Sequence, residues 1–236
     1  MAATLDPGAF DVLTFDCYGT LIDWEAGLLP GLRRLLRAHG QSLSDAEILK
    51  LYGEFEARAE SGAYQSYRKV LESVVKQFGE RCGFDPTAGE LRSLHESIPA
   101  WPTFSDTVAA LQQLQQRYRL AIISNIDDDL FAETRKHLGI EFSAVITAQQ
   151  AHSYKPSLNN FQLALRTLNI DTSRLLHVGQ SIYHDVIPAQ SLGIRTVWVN
   201  RRSARPGVGA VVEADAKPDL EVPDMATFAA LAVQPF

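Results

Sequence analysis

Four short stretches of this chain place reactive side chains where a sheet would end. Asp16, in Phe15-Asp16-Cys17-Tyr18-Gly19-Thr20-Leu21, follows Asp11-Val12-Leu13-Thr14, a short apolar, β-branched run that reads as a buried strand bounded by a turn residue. Gly19 allows a sharp backbone turn just behind it. Ser124-Asn125 closes a second apolar run, Lys155 lies in a loop beyond a third, and Gly179 to Asp185 follows a fourth. A carboxylate at the carboxyl end of a parallel strand is where open α/β sheets place their chemistry. Taken singly, each group has an ordinary explanation. Asp16 can cap the next turn, Thr20 and Ser124 can cap helices, Asp185 suits the first turn of the helix it begins, and Lys155 can be a solvated loop lysine. Strand ends of a parallel sheet share one edge, so residues distant in sequence converge there, and the convergence favours chemistry.

Periodicity sets the helices and strands that carry these groups. Residues 22 to 100 read as wholly helical. Leu28, Leu32, Leu35 and Leu36 fall at helical spacing, with Pro30 marking a kink or a new start. Ser44-Asp45-Ala46-Glu47 opens a helix carrying Ile48, Leu49, Leu51, Tyr52 and Phe55. A third helix is predicted from Tyr64 to Phe78, and a shorter one from Asp85-Pro86-Thr87 to Ile98-Pro99. Beyond Pro99 and Trp101-Pro102 strands and helices alternate. Ser105 is expected to cap a helix with Val108, Leu111 and Leu114 inward. Strands are expected at Leu120–Ser124, Phe142–Thr147, Leu175–Gly179 and Arg195–Val199. Helices fall between them at 127–138, 156–168 and 185–192, and one more short strand and helix are expected in the tail from Ala204. The fold class is therefore α/β: a doubly wound parallel-sheet core, residues 1–21 and 101–236, with an all-helical insert at 22–100.

Composition bounds the rest. Of 236 residues 46% are hydrophobic and 21% charged, an ordinary globular balance with room for a large core. The net charge of −6 offers no basic footprint for nucleic acid. Cys17 and Cys82 make neither a metal-type spacing nor a disulfide framework. No basic segment followed by an apolar run opens the chain, and no apolar stretch reaches membrane-spanning length, so a cytoplasmic location is expected.

Asp16-Cys17-Tyr18-Gly19-Thr20-Leu21, Ser124-Asn125, Tyr154-Lys155-Pro156 and Asp185, in that order, resemble the four motifs of the haloacid dehalogenase (HAD) superfamily. The helical insert lies where that superfamily places its cap. Tyr18 makes the chain most similar to the L-2-haloacid dehalogenases, also called type II. Superfamily phosphatases carry a second Asp at that position as proton donor, and an acidic pair near the last motif for Mg²⁺; here stand a phenol and the amide of Gln180. Phosphoryl transfer needs charge neutralisation and usually a proton donor, whereas halide departs as an anion without one. The resemblance implies covalent catalysis without metal or other cofactor on a small 2-haloacid. Asp16 attacks C2, and water then hydrolyses the ester to a 2-hydroxyacid. Lys155 keeps Asp16 ionised, Thr20 and Ser124 hydrogen-bond Asp16 or the substrate carboxylate, and Asp185 orients Lys155 or the water. Tyr18, Asn125 and Ser181 contact substrate or halide, and Tyr183 and His184 could line the pocket.

The chain departs from that family in places. The family's halide-binding arginine on the first long cap helix aligns near Tyr52, leaving Arg58 or Arg68 as possible substitutes. A family tyrosine appears as Phe161, and Ser181 is the nearest candidate for a family asparagine. Two other readings stay open: a Mg²⁺-dependent HAD phosphatase with altered ligands, and a non-catalytic HAD-fold binding protein. A homodimer through cap helices, common among relatives, is permitted by the leucine-rich 28–36 segment.

Overall fold

The computed structural model describes residues 5–201 and 214–233. Among them six strands form one parallel sheet, β1 (Val12–Phe15), β2 (Arg119–Ser124), β3 (Ala144–Thr147), β4 (Leu175–Gly179), β5 (Arg195–Val199) and β6 (Leu220–Val222), in the order β3-β2-β1-β4-β5-β6. The strands read as continuous apolar runs because both faces are covered. Val12 packs into one layer with Ala121, Ile123, Ile146 and Phe161, while Leu13 and Phe15 face the opposite, larger layer with Leu120 and Ile122. The strand order reverses at β1, which pairs with β2 on one side and β4 on the other. Phe15 is level with Ile122 and Val178, so the next residues along these three strands emerge together at the sheet edge.

Four helices lie between β1 and β2 ahead of the core helix α5 (Thr107–Leu114): α1 (Trp24–Ala38), α2 (Asp45–Glu60), α3 (Tyr67–Cys82) and α4 (Ala88–Ser97). They form the helical cap. Pro30 lies inside α1 without ending it. Helices α2 and α4 each begin with a capping box, Ser44 with Glu47 and Thr87 with Glu90. Helix α3 starts three residues later than periodicity suggests. Its N-cap, Ser66, makes no side-chain cap bond. The Asp127 carboxylate, from the segment after β2, accepts instead from Tyr67 N at 2.9 Å and Arg68 N at 3.1 Å. The apolar faces of α1 to α3 join the same hydrophobic layer as Leu13 and Phe15, so cap and sheet edge enclose a common space.

Helix α5 is capped differently from expectation. Asp106, not Ser105, is the N-cap residue, and it makes no local cap bond. Its carboxylate accepts from Met225 N and from Arg201 instead, tying α5 to the C-terminal strand–helix pair. Val108 is half-buried, and Thr107, Ala110, Leu111 and Leu114 face inward. The remaining helices are α6 (Asp128–Thr134), α7 (Ala148–Ala151), α8 (Leu158–Leu168), α9 (Ile187–Ser191) and α10 (Met225–Ala232). The extra strand and helix expected in the tail are β6 and α10; residues 204–213 of that tail lie outside the described residues. No helix among the described residues is long and apolar enough to cross a membrane.

Candidate active site

Asp16 leaves β1 with its backbone N–H bonded to Val178 O at 3.0 Å. The chain then turns through Gly19, whose φ of +98° is strained for any L side chain. That turn brings Thr20 back over Asp16: Thr20 Oγ1 donates to Asp16 Oδ2 at 2.7 Å and accepts from Gln180 N at 2.9 Å. The backbone N–H can only donate, so the threonine hydroxyl proton is committed to Asp16.

Lys155 is 2% exposed. Its Nζ donates to Asp16 Oδ1 at 2.8 Å, Asp185 Oδ1 at 2.6 Å and Ile123 O at 2.9 Å, which uses all three ammonium hydrogens. Its backbone is clamped by Asn125: Lys155 N donates to Asn125 Oδ1 at 2.7 Å, and Asn125 Nδ2 donates to Lys155 O at 3.1 Å. Burial works against the lysine charge, but Asp16 and Asp185 outweigh it and hold the group well above the usual lysine range. Burial pushes the Asp16 carboxyl up, against the pull of Lys155 and Thr20, and Asp185 adds to the push.

Asp185 lies in a π-helical turn, Ile182–Val186, rather than in the first turn of an α-helix. Both its oxygens are engaged. Oδ1 accepts from Lys155 and lies 3.2 Å from His177 Nε2, and Oδ2 accepts from Ser181 N at 3.1 Å. His177 reaches it from β4, with Nδ1 2.9 Å from Thr14 Oγ1. Against the cost of burial, Lys155 and His177 hold the Asp185 carboxyl far below the ordinary range. Gly179 permits this approach: a Cβ there would lie 2.5 Å from Asp185 Cγ.

Several expected roles have a different geometry. Ser124 makes no bond to Asp16; its buried Oγ has no hydrogen-bond partner among the described residues, and it lines the cleft. The Asn125 amide is engaged with the Lys155 backbone. Ser181 Oγ accepts from His184 N at 3.0 Å and so caps the π turn. The Tyr18 hydroxyl lies 2.7 Å from Thr134 Oγ1, and burial pushes the phenol well up. Phe161 packs edge-on against His177 in the sheet layer. Burial holds the His184 imidazole down at about 4, so it is neutral at physiological pH.

Neither proposed arginine lines the cleft over Asp16. Arg58 is exposed beside the Phe55 ring, and Arg68 engages His95 and Asp129. Tyr52 is fully buried. What the cap presents is acidic. Glu56 and Glu60, on one face of α2, line the cleft with Tyr67, Trp24 and Trp101. Glu56 Oε1 accepts from Tyr52 OH at 2.8 Å and Tyr67 OH at 2.6 Å. Sequence reasoning took the aromatics of this helix and passed over the glutamates, although Tyr52, Glu56 and Glu60 recur every four residues. The cleft offers about 80 Å³, room for a small molecule.

A buried aspartate held by lysine and threonine at the switch point of a parallel sheet, under a helical cap, defines a class of hydrolase. The chain belongs to the haloacid dehalogenase-like hydrolases, whose family model matches residues 10–193. It is similar to the (S)-2-haloacid dehalogenase of Pseudomonas sp. strain YL, 24% identical over 192 residues, 80% of this chain and 82% of that one. It also resembles the glyceraldehyde 3-phosphate phosphatase of Methanothermobacter thermautotrophicus, 28% identical over 68% of this chain and 71% of that one. Among solved structures, the L-2-haloacid dehalogenase of Xanthobacter autotrophicus with chloropropionic acid covalently bound has the same fold. Its TM-score is 0.79 at 19% identity, over 94% of this chain and 98% of that one.

Proposed function

We propose that this hydrolase cleaves the carbon–halogen bond of small 2-haloacids through an ester at Asp16, without a metal ion. One observation carries the reading: Lys155 and Thr20 donate to the two oxygens of Asp16 while both oxygens of Asp185 are already engaged. Mg²⁺ needs several hard oxygen ligands. Here Asp16 is bonded on both oxygens, Asp185 likewise, Tyr18 stands two residues after the nucleophile, and the residue after Gly179 is the amide Gln180. The described residues contain no group of three or more His, Cys, Asp or Glu suited to a metal. The donor set fits Mg²⁺ poorly, and no step is routed through it.

In the first step an Asp16 carboxylate oxygen attacks C2 from the side opposite the halogen. The C–O bond forms as the C–halogen electrons leave with halide. Water then adds to the Asp16 carbonyl, and the 2-hydroxyacid leaves with its C2 configuration inverted. Thr20 and Lys155 fix the nucleophile so that little reorganisation accompanies attack. The test is halide release from (S)-2-chloropropionate in EDTA, with wild type beside Asp16→Asn. Expected are turnover by wild type, none by the variant, and a trapped ester on the Asp16 peptide by mass spectrometry. Turnover of a phosphomonoester that disappears with EDTA, and no halide release, would overturn the proposal.

A further inference from the structure

The cleft gathers four carboxylates, Asp16, Asp185, Glu56 and Glu60, and, among its described lining residues, one ammonium, Lys155. Carboxylates crowded round a single cation do not all ionise; the least supported one keeps a proton. Hydrogen bonds rank them. Asp16 accepts from Lys155 and Thr20, and Asp185 from Lys155 and Ser181. Glu56 accepts from two tyrosine hydroxyls. Glu60, one turn further along α2, accepts from none of the described residues. Burial and the neighbouring Glu56 push its carboxyl well up, opposed by Lys155.

The geometry points to Glu60 as the carboxylic acid of the cleft, whose O–H donates a hydrogen bond to the departing halide on the cap side of the substrate. This rests on displacement at carbon as proposed above. Asp16 forms the C–O bond, the C–halogen electron pair leaves as halide, and Glu60 retains its proton throughout. Other polar hydrogens near that wall are committed: Tyr52 and Tyr67 to Glu56, Lys155 to its three acceptors. The Ser124 hydroxyl, buried and without a partner among the described residues, the Trp24 indole and the Gln180 amide also line the cleft. None of these is a carboxylic acid, so pH separates them from Glu60. The titratable groups that line the cleft with Glu60 are Glu56 on its own helix, Tyr67 on α3, and Asp16, Tyr18, Lys155, Asp185 and His184 from the core. Glu60 also borders a second hollow, which Tyr64, His152, Tyr154 and Tyr183 line with Lys155 and His184.

The test is bromide binding by calorimetry across pH, for wild type, Glu60→Gln and Glu60→Ala, with circular dichroism to establish that each is folded. Halide release from 2-chloropropionate is measured on the same proteins. Wild type should bind bromide and lose about tenfold or more in affinity as pH rises through the Glu60 value. Glu60→Gln keeps an N–H donor and should bind without that pH dependence. Glu60→Ala should bind ~10-fold to ~100-fold more weakly, the worth of one hydrogen bond to a charged group. No bromide binding by wild type, or equal affinity and pH response in all three proteins, would overturn the assignment. Binding as expected without halide release would leave Glu60 in place and remove the dehalogenase reading. Halide release with unchanged turnover and pH profile in both variants would do the reverse.

Discussion

Replacing Lys155 with Met removes the one cation buried between Asp16 and Asp185 while keeping a side chain of similar length. Asp185 is 1% exposed, so it gains no water in exchange. Breaking a buried pair on one side costs about 3–5 kcal/mol. In a domain of this size that lowers the melting temperature by about 6–20 °C. The loss must also depend on pH, with a sign the structure fixes. In wild type the Asp185 value is depressed, so its contribution is present above the ordinary carboxylate range and lost only as pH falls through the depressed value. The Lys155 value is raised, so its contribution is present below the ordinary lysine value and lost as pH rises through the raised one. Without the lysine, burial drives the carboxyl values above ordinary, the folded state binds more protons than the unfolded one, and stability falls as pH rises. Urea unfolding at about pH 5 and about pH 7 should therefore show a larger deficit for Lys155→Met at the higher pH. Equal denaturant midpoints for variant and wild type at neutral pH would refute the reasoning. So would a deficit that grows toward acid.

Two further expectations follow from single contacts. Asp127→Ala leaves Tyr67 N and Arg68 N without their acceptor; it should cost about 1–2 kcal/mol and speed exchange of those two amides in hydrogen-exchange mass spectrometry. Gly179→Ala drives a methyl group to 2.5 Å from Asp185 Cγ, so it should cost about 1–3 kcal/mol and lower turnover more than it raises KM, measured by chemical denaturation and steady-state kinetics.

The sheet was legible because its strands are apolar runs of strand length, and Leu175–Gly179 and Arg195–Val199 fall where the alternation put them. The meeting of Asp16, Lys155 and Asp185 was legible for the same reason: strand ends of a parallel sheet have one place to go. What escaped were partners set by tertiary contact. His177 sits inside a strand and gives no local sign that it will reach Asp185. Asp106 looks like a loop residue beside a good cap, yet its carboxylate is claimed by groups about a hundred residues away. Of the two hydroxyls expected near Asp16, Thr20 donates to it because the Gly19 turn folds it back, and Ser124 does not; side-chain direction is not written in spacing. The glutamates of α2 were hidden among core positions, since Tyr52 and Phe55 account for that helix as packing.

Lys155 has no hydrogen left to offer an arriving molecule. Its three bonds are all made to the chain itself, so the work of arranging charge around the nucleophile is done when the chain folds. Substrates should then differ in turnover by how squarely they present their carbon, and little by how well they draw the machinery together. Asn125, just past the end of β2, governs that readiness from a distance, because it holds the lysine by its backbone and leaves the reacting atoms untouched.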